Sequence, residues 1–224
     1  MIKRQNFYFL DKNKKRNFDV FCLSFLYIEK INNYIKNGDD TGGVSGAKIT
    51  GRNYDLRRKI RMNVKQEVSV QKVAKDAEEY YRGGYFCCEA VMASIRDNFE
   101  LDVPKEVIAM SSGMSVGAGR SGCMCGALNG GILALGMFFG RTEQNGPKDP
   151  KVVKCMELVN ELHSWFKVAN KKNSVCCRVL TKEFDMGKGE HKEQCIHFTG
   201  LCAGKVAEIV VRELGLTNLD EQTA

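Results

Sequence analysis

Between Arg120 and Arg141 the chain carries no charged residue, and six of the twenty residues from Ser121 to Gly140 are glycine. Twenty uncharged residues are just long enough to cross a bilayer as a helix. The glycines and Asn129 make this a poor hydropathy segment, however, so it reads as a buried central helix running from Cys125 to Phe139. Gly122, Gly126 and Gly130 recur every four residues and would leave one helix face without side chains. Another helix, or a bound group, could approach the backbone there. Such an element needs other elements packed around it on most sides.

The segments after Met62 supply them as helices. Gln66 to Tyr81 places apolar residues at Val70, Val73, Ala74, Ala77 and Tyr80/Tyr81, and Gly83-Gly84 ends it. A second helix is expected from Phe86 to Phe99. Pro104 and Glu106 mark the start of a short third one. Asp149-Pro150 opens a long amphipathic helix to about Ala169, with Val152, Cys155, Met156, Val159, Leu162 and Phe166 as its apolar face. A short helix near Val175 to Leu180 and a long one from His191 to Leu214 follow. No run alternates as a strand would. The predicted fold class is therefore all-α: a compact multi-helix bundle around a glycine-rich central helix.

Charge divides the chain at residue 61. Residues 1–61 hold 14 Lys/Arg against 6 Asp/Glu, and residues 62–224 hold 20 against 21. No basic face is implied for the second part, and no nucleic-acid partner is expected for it. The first part, a basic N-terminal extension, has three readings: a flexible arm, an upstream segment read through a start that belongs at Met62, or an arm for nucleic acid or a membrane surface. Its one apolar run, Phe18 to Ile28, is too short to span a bilayer, and no small-residue cleavage site follows it. Residues 62–224 are expected to form the functional, cysteine-rich domain.

Ten cysteines without a secretory signal suit metal ligands or redox thiols in a reducing cytoplasm better than a disulfide framework. Cys123 and Cys125 are the most informative pair. Residues two apart on a helix point about 200° away from each other, so both sulfurs can face one site only if one lies off the helix. Cys125 would then stand at the helix N-terminus, where N–H groups and the dipole favour a thiolate. His191, Cys195 and Cys202 can share a face of the last helix, although Cys195 and Cys202 would lie about 10 Å apart along it. His191 with Cys195 could ligate a metal, His197 points elsewhere, and His163 reads as a boundary residue. Cys22 and Cys155 read as incidental. Gly117-Ala118-Gly119-Arg120-Ser121-Gly122 fits the dinucleotide pattern G-x-G-x-x-G, but no strand precedes it, as that fingerprint requires.

Taken in order, these residues resemble a known family. Cys87-Cys88-Glu89-Ala90-Val91, Gly113 to Arg120 leading into Cys125-Gly126-Ala127-Leu128-Asn129-Gly130, Ala134-Leu135-Gly136, Cys177-Arg178-Val179-Leu180 and Cys195 are similar to the bacterial and archaeal C_GCAxxG_C_C proteins. The resemblance covers roughly Val70 to Leu214. It implies a helical protein that is redox-active or metal-binding, with Cys87, Cys125, Cys177 and Cys195 as the metal-ligating set. Cys88 and Cys176 stand beside two of these as alternatives, Cys202 could replace Cys195, and Cys123 is a thiol beyond the motif. Split-Soret cytochromes, with haem and an iron site, are related to the family; here the absence of Cys-x-x-Cys-His argues against covalent haem.

Two chemistries compete. The four cysteines could hold an iron-sulfur cluster, or less readily zinc, for electron transfer or redox sensing, with Gly122, Gly126 and Gly130 letting backbone close on the bound group. Alternatively Cys125 attacks disulfides and Cys123, or a cysteine from another helix, resolves them. A blander reading is a helical interaction protein with a structural metal. Any redox reading calls for a partner protein, which the sequence does not name; a homodimer is compatible with it, and no membrane span is expected.

Overall fold

The computed structural model describes residues 64 to 222; the basic extension, with its three readings and Cys22, lies outside them. Among the described residues five helices carry the fold: α1 (Val70–Arg82), α2 (Cys87–Asn98), α3 (Gly126–Phe139), α4 (Pro150–Ala169) and α5 (Lys192–Leu214). Single helical turns stand at Glu106–Ala109 and Cys177–Leu180. The fold is all-α apart from a two-residue parallel pair, β1 (Glu67–Val68) with β2 (Thr217–Asn218).

That pair explains why α1 starts later than the apolar periodicity suggests. Ser69 caps the helix, its hydroxyl oxygen accepting from the Lys72 N–H at 3.0 Å, and the residues before it are extended. Asp220 accepts from the Ser69 hydroxyl at 2.5 Å and from the Gln71 N–H at 2.8 Å. The residues that follow β2 are thereby fastened to the start of α1. In α2 the Glu89 carboxylate reaches back to the Phe86 N–H at 2.8 Å, and nearly every residue from Cys87 to Ile95 is buried.

The uncharged segment forms the central helix α3, surrounded by α2, α4 and α5. Its residues from Gly126 to Gly131, with Ala134, Leu135, Phe138 and Phe139, are all buried, as expected of a helix apolar on every side. Phe138 meets Phe99 edge-on with ring centres 5.2 Å apart. At fourteen residues α3 is too short to span a bilayer, and no described helix is long and apolar enough to do so.

Gly126 and Gly130 face α2. A Cβ on Gly126 would run into the Cys87 sulfur, and one on Gly130 would come within 2.8 Å of the Cys88 carbonyl oxygen. The side-chain-free face is therefore filled by the first turn of α2 rather than left open. Gly122 does not belong to it: it precedes α3, has φ +72°, and lies against the Arg178 side chain. The four-residue spacing put it on a face that the helix does not extend far enough to include.

Helix α4 opens as expected, with the Asp149 carboxylate accepting from the Lys151 N–H at 2.7 Å and Pro150 in the first turn. Its buried face differs from the predicted one. Leu158, Leu162 and Phe166 are buried whereas Met156 is 66% exposed. Leu158 fits the i, i+4, i+8 row that meets the core, and Met156 lies off that row.

Candidate functional site

The approach to α3 has an unusual backbone. Five successive residues, Val116 to Arg120, have positive φ (53°, 71°, 61°, 61° and 67°), so the G-x-G-x-x-G match is a left-handed turn, closed by the Gly119 N–H on the Ser115 carbonyl at 3.0 Å. Three of the five are not glycine, and each costs about 1–2 kcal/mol in this region. Contacts on its inner side hold the turn in place. The Gly117 carbonyl accepts from the Cys123 N–H at 3.0 Å and from the Ser121 hydroxyl at 2.6 Å. A Cβ on Gly117 would lie 2.8 Å from the Cys177 Cβ.

After the turn, Cys123 to Cys125 runs antiparallel to Val175 to Cys177, with Met124 opposite Cys176. The Cys125 N–H bonds the Val175 carbonyl at 2.7 Å, and the Arg178 N–H bonds the Gly122 carbonyl at 3.0 Å. From within α3, the Asn129 amide donates to the Met114 carbonyl at 3.0 Å and the Met124 carbonyl at 3.3 Å. The short ladder brings the head of α3 to the Cys177–Leu180 turn, although 52 residues separate Cys125 from Cys177.

Four thiols from separate elements come within electrostatic range of one another here. Cys87 opens α2, Cys125 caps α3, Cys177 opens its helical turn, and Cys195 stands in the first turns of α5. The first three are buried and Cys195 is partly so. Burial first, then the closeness of Cys195, Cys87, Cys125 and Cys177, pushes the Tyr81 phenol above its usual range. Cys87 is the common neighbour. It acts on Cys125, Cys177 and Cys195, and also on Cys202, one helical stretch further along α5.

All four are pushed towards the neutral thiol, chiefly by desolvation, with Cys195 raised to about 12. This corrects the expected thiolate at Cys125. The residue does cap α3, and the Leu128 and Ala127 N–H groups do pull its pKa down, but full burial outweighs them. Cys87 has opposing N–H groups as well, from Val116, Cys88 and its own backbone. The left-handed turn thus aims the Val116 N–H at the Cys87 sulfur, in the manner of an anion-binding nest.

The paired cysteines separate by direction. Cys88 is fully buried and meets the Ser111 hydroxyl, whereas the Cys176 thiol donates to the Gly122 carbonyl at 3.2 Å. Cys88 nevertheless feels Cys87, and Cys176 acts on Cys177. Cys123 is exposed while Cys125 is buried, so the structure does not present them as a matched exchanging pair. Cys155 is partly buried in α4. His191 caps α5 with its Nδ1 buried and unpartnered, its pKa lowered by burial and by Lys192.

The family model described as Putative redox-active protein (C_GCAxxG_C_C) matches residues 85–209. The chain belongs to this family. No curated protein and no solved structure matches it. The matched span of the C_GCAxxG_C_C protein holds all four converging cysteines, the left-handed turn and α3.

Sequence reasoning missed Tyr81 as the residue shared by the four thiols, because it reads as one more apolar position of α1. It also missed Ser115 and Asn129, whose Oγ and Oδ1 are buried without hydrogen-bond partners beside the same turn. Asn129 carried a signal, being the one amide in an otherwise apolar segment. In this conformation no three His, Cys, Asp or Glu side chains among the described residues close into a metal-holding group. The donor chemistry nevertheless suits a thiolate-ligated centre: four sulfurs from four elements, in a desolvated place, two of them already facing backbone N–H groups.

Proposed function

We propose that this C_GCAxxG_C_C protein is a redox protein in which Cys87, Cys125, Cys177 and Cys195 hold an iron-sulfur cluster for electron transfer or redox sensing. The observation that carries the reading is that these four thiols all act on Tyr81 and that Cys87 acts on the other three. Such a cluster, when bound, would supply one-electron chemistry. The chain's own contribution would be to exclude water, to neutralise thiolate charge with the N–H groups of Val116, Ala127 and Leu128, and to place a phenol beside the sulfurs. Zinc would be held by the same donors without redox change. Thiol exchange by Cys125 has less support, since burial keeps its sulfur protonated and exchange needs the thiolate.

Anaerobic purification with iron and acid-labile sulfide analysis tests the proposal. Iron and sulfide are expected in wild type and in Cys123→Ser, and are expected to be lost in Cys87→Ser. A colourless, iron-free wild-type protein sinks it, and zinc in place of iron would turn the reading to a structural metal.

A further inference from the structure

The even charge balance of residues 62–224 conceals a local excess at the site. Residues 110–125 and 170–182, the two segments joined by the Met124–Cys176 pairing, contain Arg120, Lys171, Lys172, Arg178 and Lys182 and no Asp or Glu. Lys172 is spent on Glu183 at 3.1 Å. Arg120, Lys171, Arg178 and Lys182 are exposed, and none forms an ion pair with a described acidic side chain. Glu89 joins the first segment only at its other end, through Ser112 and the Phe86 N–H.

The geometry sets Arg178 against the segment that leads into Cys125. Arg178 directly follows Cys177, its N–H bonds the Gly122 carbonyl, and its guanidinium donates to the Ser121 carbonyl at 2.8 Å. Arg120 ends the left-handed turn one residue before Ser121, which fixes where its backbone leaves the surface. Exposed Cys123 lies in the first segment, and Met114 (36% exposed) and Val179 (42%) are exposed apolar residues of the first and second. Arginine beside exposed apolar side chains is the composition of a protein-docking surface. An unneutralised positive field recruits a partner of opposite sign.

We infer that the face formed by Arg120 and Arg178 beside Cys123 is the docking surface for an acidic redox partner protein. It rests on the redox reading above, since it gives the same site its partner. The patch is short and interrupted by apolar side chains, which favours an acidic protein surface over the longer phosphate track of a nucleic acid. Docking here would bring a partner to the short ladder that carries Cys125 and Cys177.

Cys123 provides the readout, independent of metal content. The full-length protein is labelled with neutral dithiodipyridine, whose disulfide is attacked by the Cys123 thiolate to give a mixed disulfide and free thiopyridone, and modification at Cys123 is followed by peptide mass spectrometry. A polyglutamate peptide is expected to slow this reaction by about ten-fold at low ionic strength, with protection lost as salt screens the charges. Arg120→Glu with Arg178→Glu should abolish the protection, and polylysine should give none to wild type. Unprotected Cys123, or protection surviving in the charge-reversed protein, overturns the inference. Protection by a single-stranded oligonucleotide but not by polyglutamate overturns it in favour of nucleic acid. Iron-free protein in which polyglutamate still protects Cys123 would overturn the cluster and leave the docking surface standing.

Discussion

At the scale of single residues, the contest is between burial and backbone N–H groups for the state of each sulfur. Cys125 has both the helix N-terminus and full desolvation, and desolvation wins. The same balance makes stability depend on pH in the metal-free protein. Folding raises the Cys195 pKa from 9.0 to about 12, so the folded state binds more protons between those values. The stability this thiol contributes is present below pH 9 and is lost as pH rises towards 12. Denaturant unfolding of reduced, metal-free protein should therefore show stability falling between pH 9 and 11, with a shallower fall in Cys195→Ser. An equal fall in both proteins would contradict this assignment. Metal binding reverses the proton balance, because ligation needs thiolates; calorimetry in buffers of different ionisation enthalpy should register proton release at pH 7.

At the scale of elements, the close approach of α2 and α3 sets where Cys87 and Cys125 can be. Gly126→Ala places a methyl against the Cys87 sulfur and 3.1 Å from the Ser115 Cα, so the two helices must move apart. Overpacking of this kind costs about 1–3 kcal/mol, and iron loading should fall with it. Gly136→Ala, in the same helix, meets nothing within 4 Å. It should be neutral or stabilise by about 0.5–1 kcal/mol through helix propensity. Chemical denaturation of the two variants separates packing from propensity; equal effects would show that α2 does not rest on Gly126. The left-handed turn belongs to this scale too. Its strain is offset by what it places: the Gly117 carbonyl on the Cys123 N–H and the Val116 N–H beside Cys87.

At the scale of the whole molecule, the four cysteines come from four elements spread over residues 87–195, so a centre held by them would tie together the starts of α2, α3 and α5 and the Cys177–Leu180 turn. Ligand that binds only the folded state stabilises by about 4 kcal/mol at a thousand times its Kd. The loaded protein should therefore melt well above the metal-free form, and chelation should bring the two together. The expected shift disappears in Cys87→Ser if Cys87 is a ligand. A Cys87→Ser protein that melts higher on iron loading as much as wild type would remove Cys87 from the set.

Much of this architecture was legible in the residues, because local physics writes helices into sequence. The uncharged segment of α3, the Asp149-Pro150 start of α4 and the length of α5 are set by periodicity, capping and charge within a few residues of each other. The family pattern of cysteines is likewise carried in order along the chain. The tertiary structure decided the rest. It turned Cys88 to Ser111 and Cys176 to the Gly122 carbonyl, made Gly126 and Gly130 a seat for α2, excluded Gly122 from that seat, and laid Arg178 against Ser121. Each of these depends on contacts between segments tens of residues apart, or on desolvation that exists only once the core has closed, and neither is encoded in the spacing of neighbours.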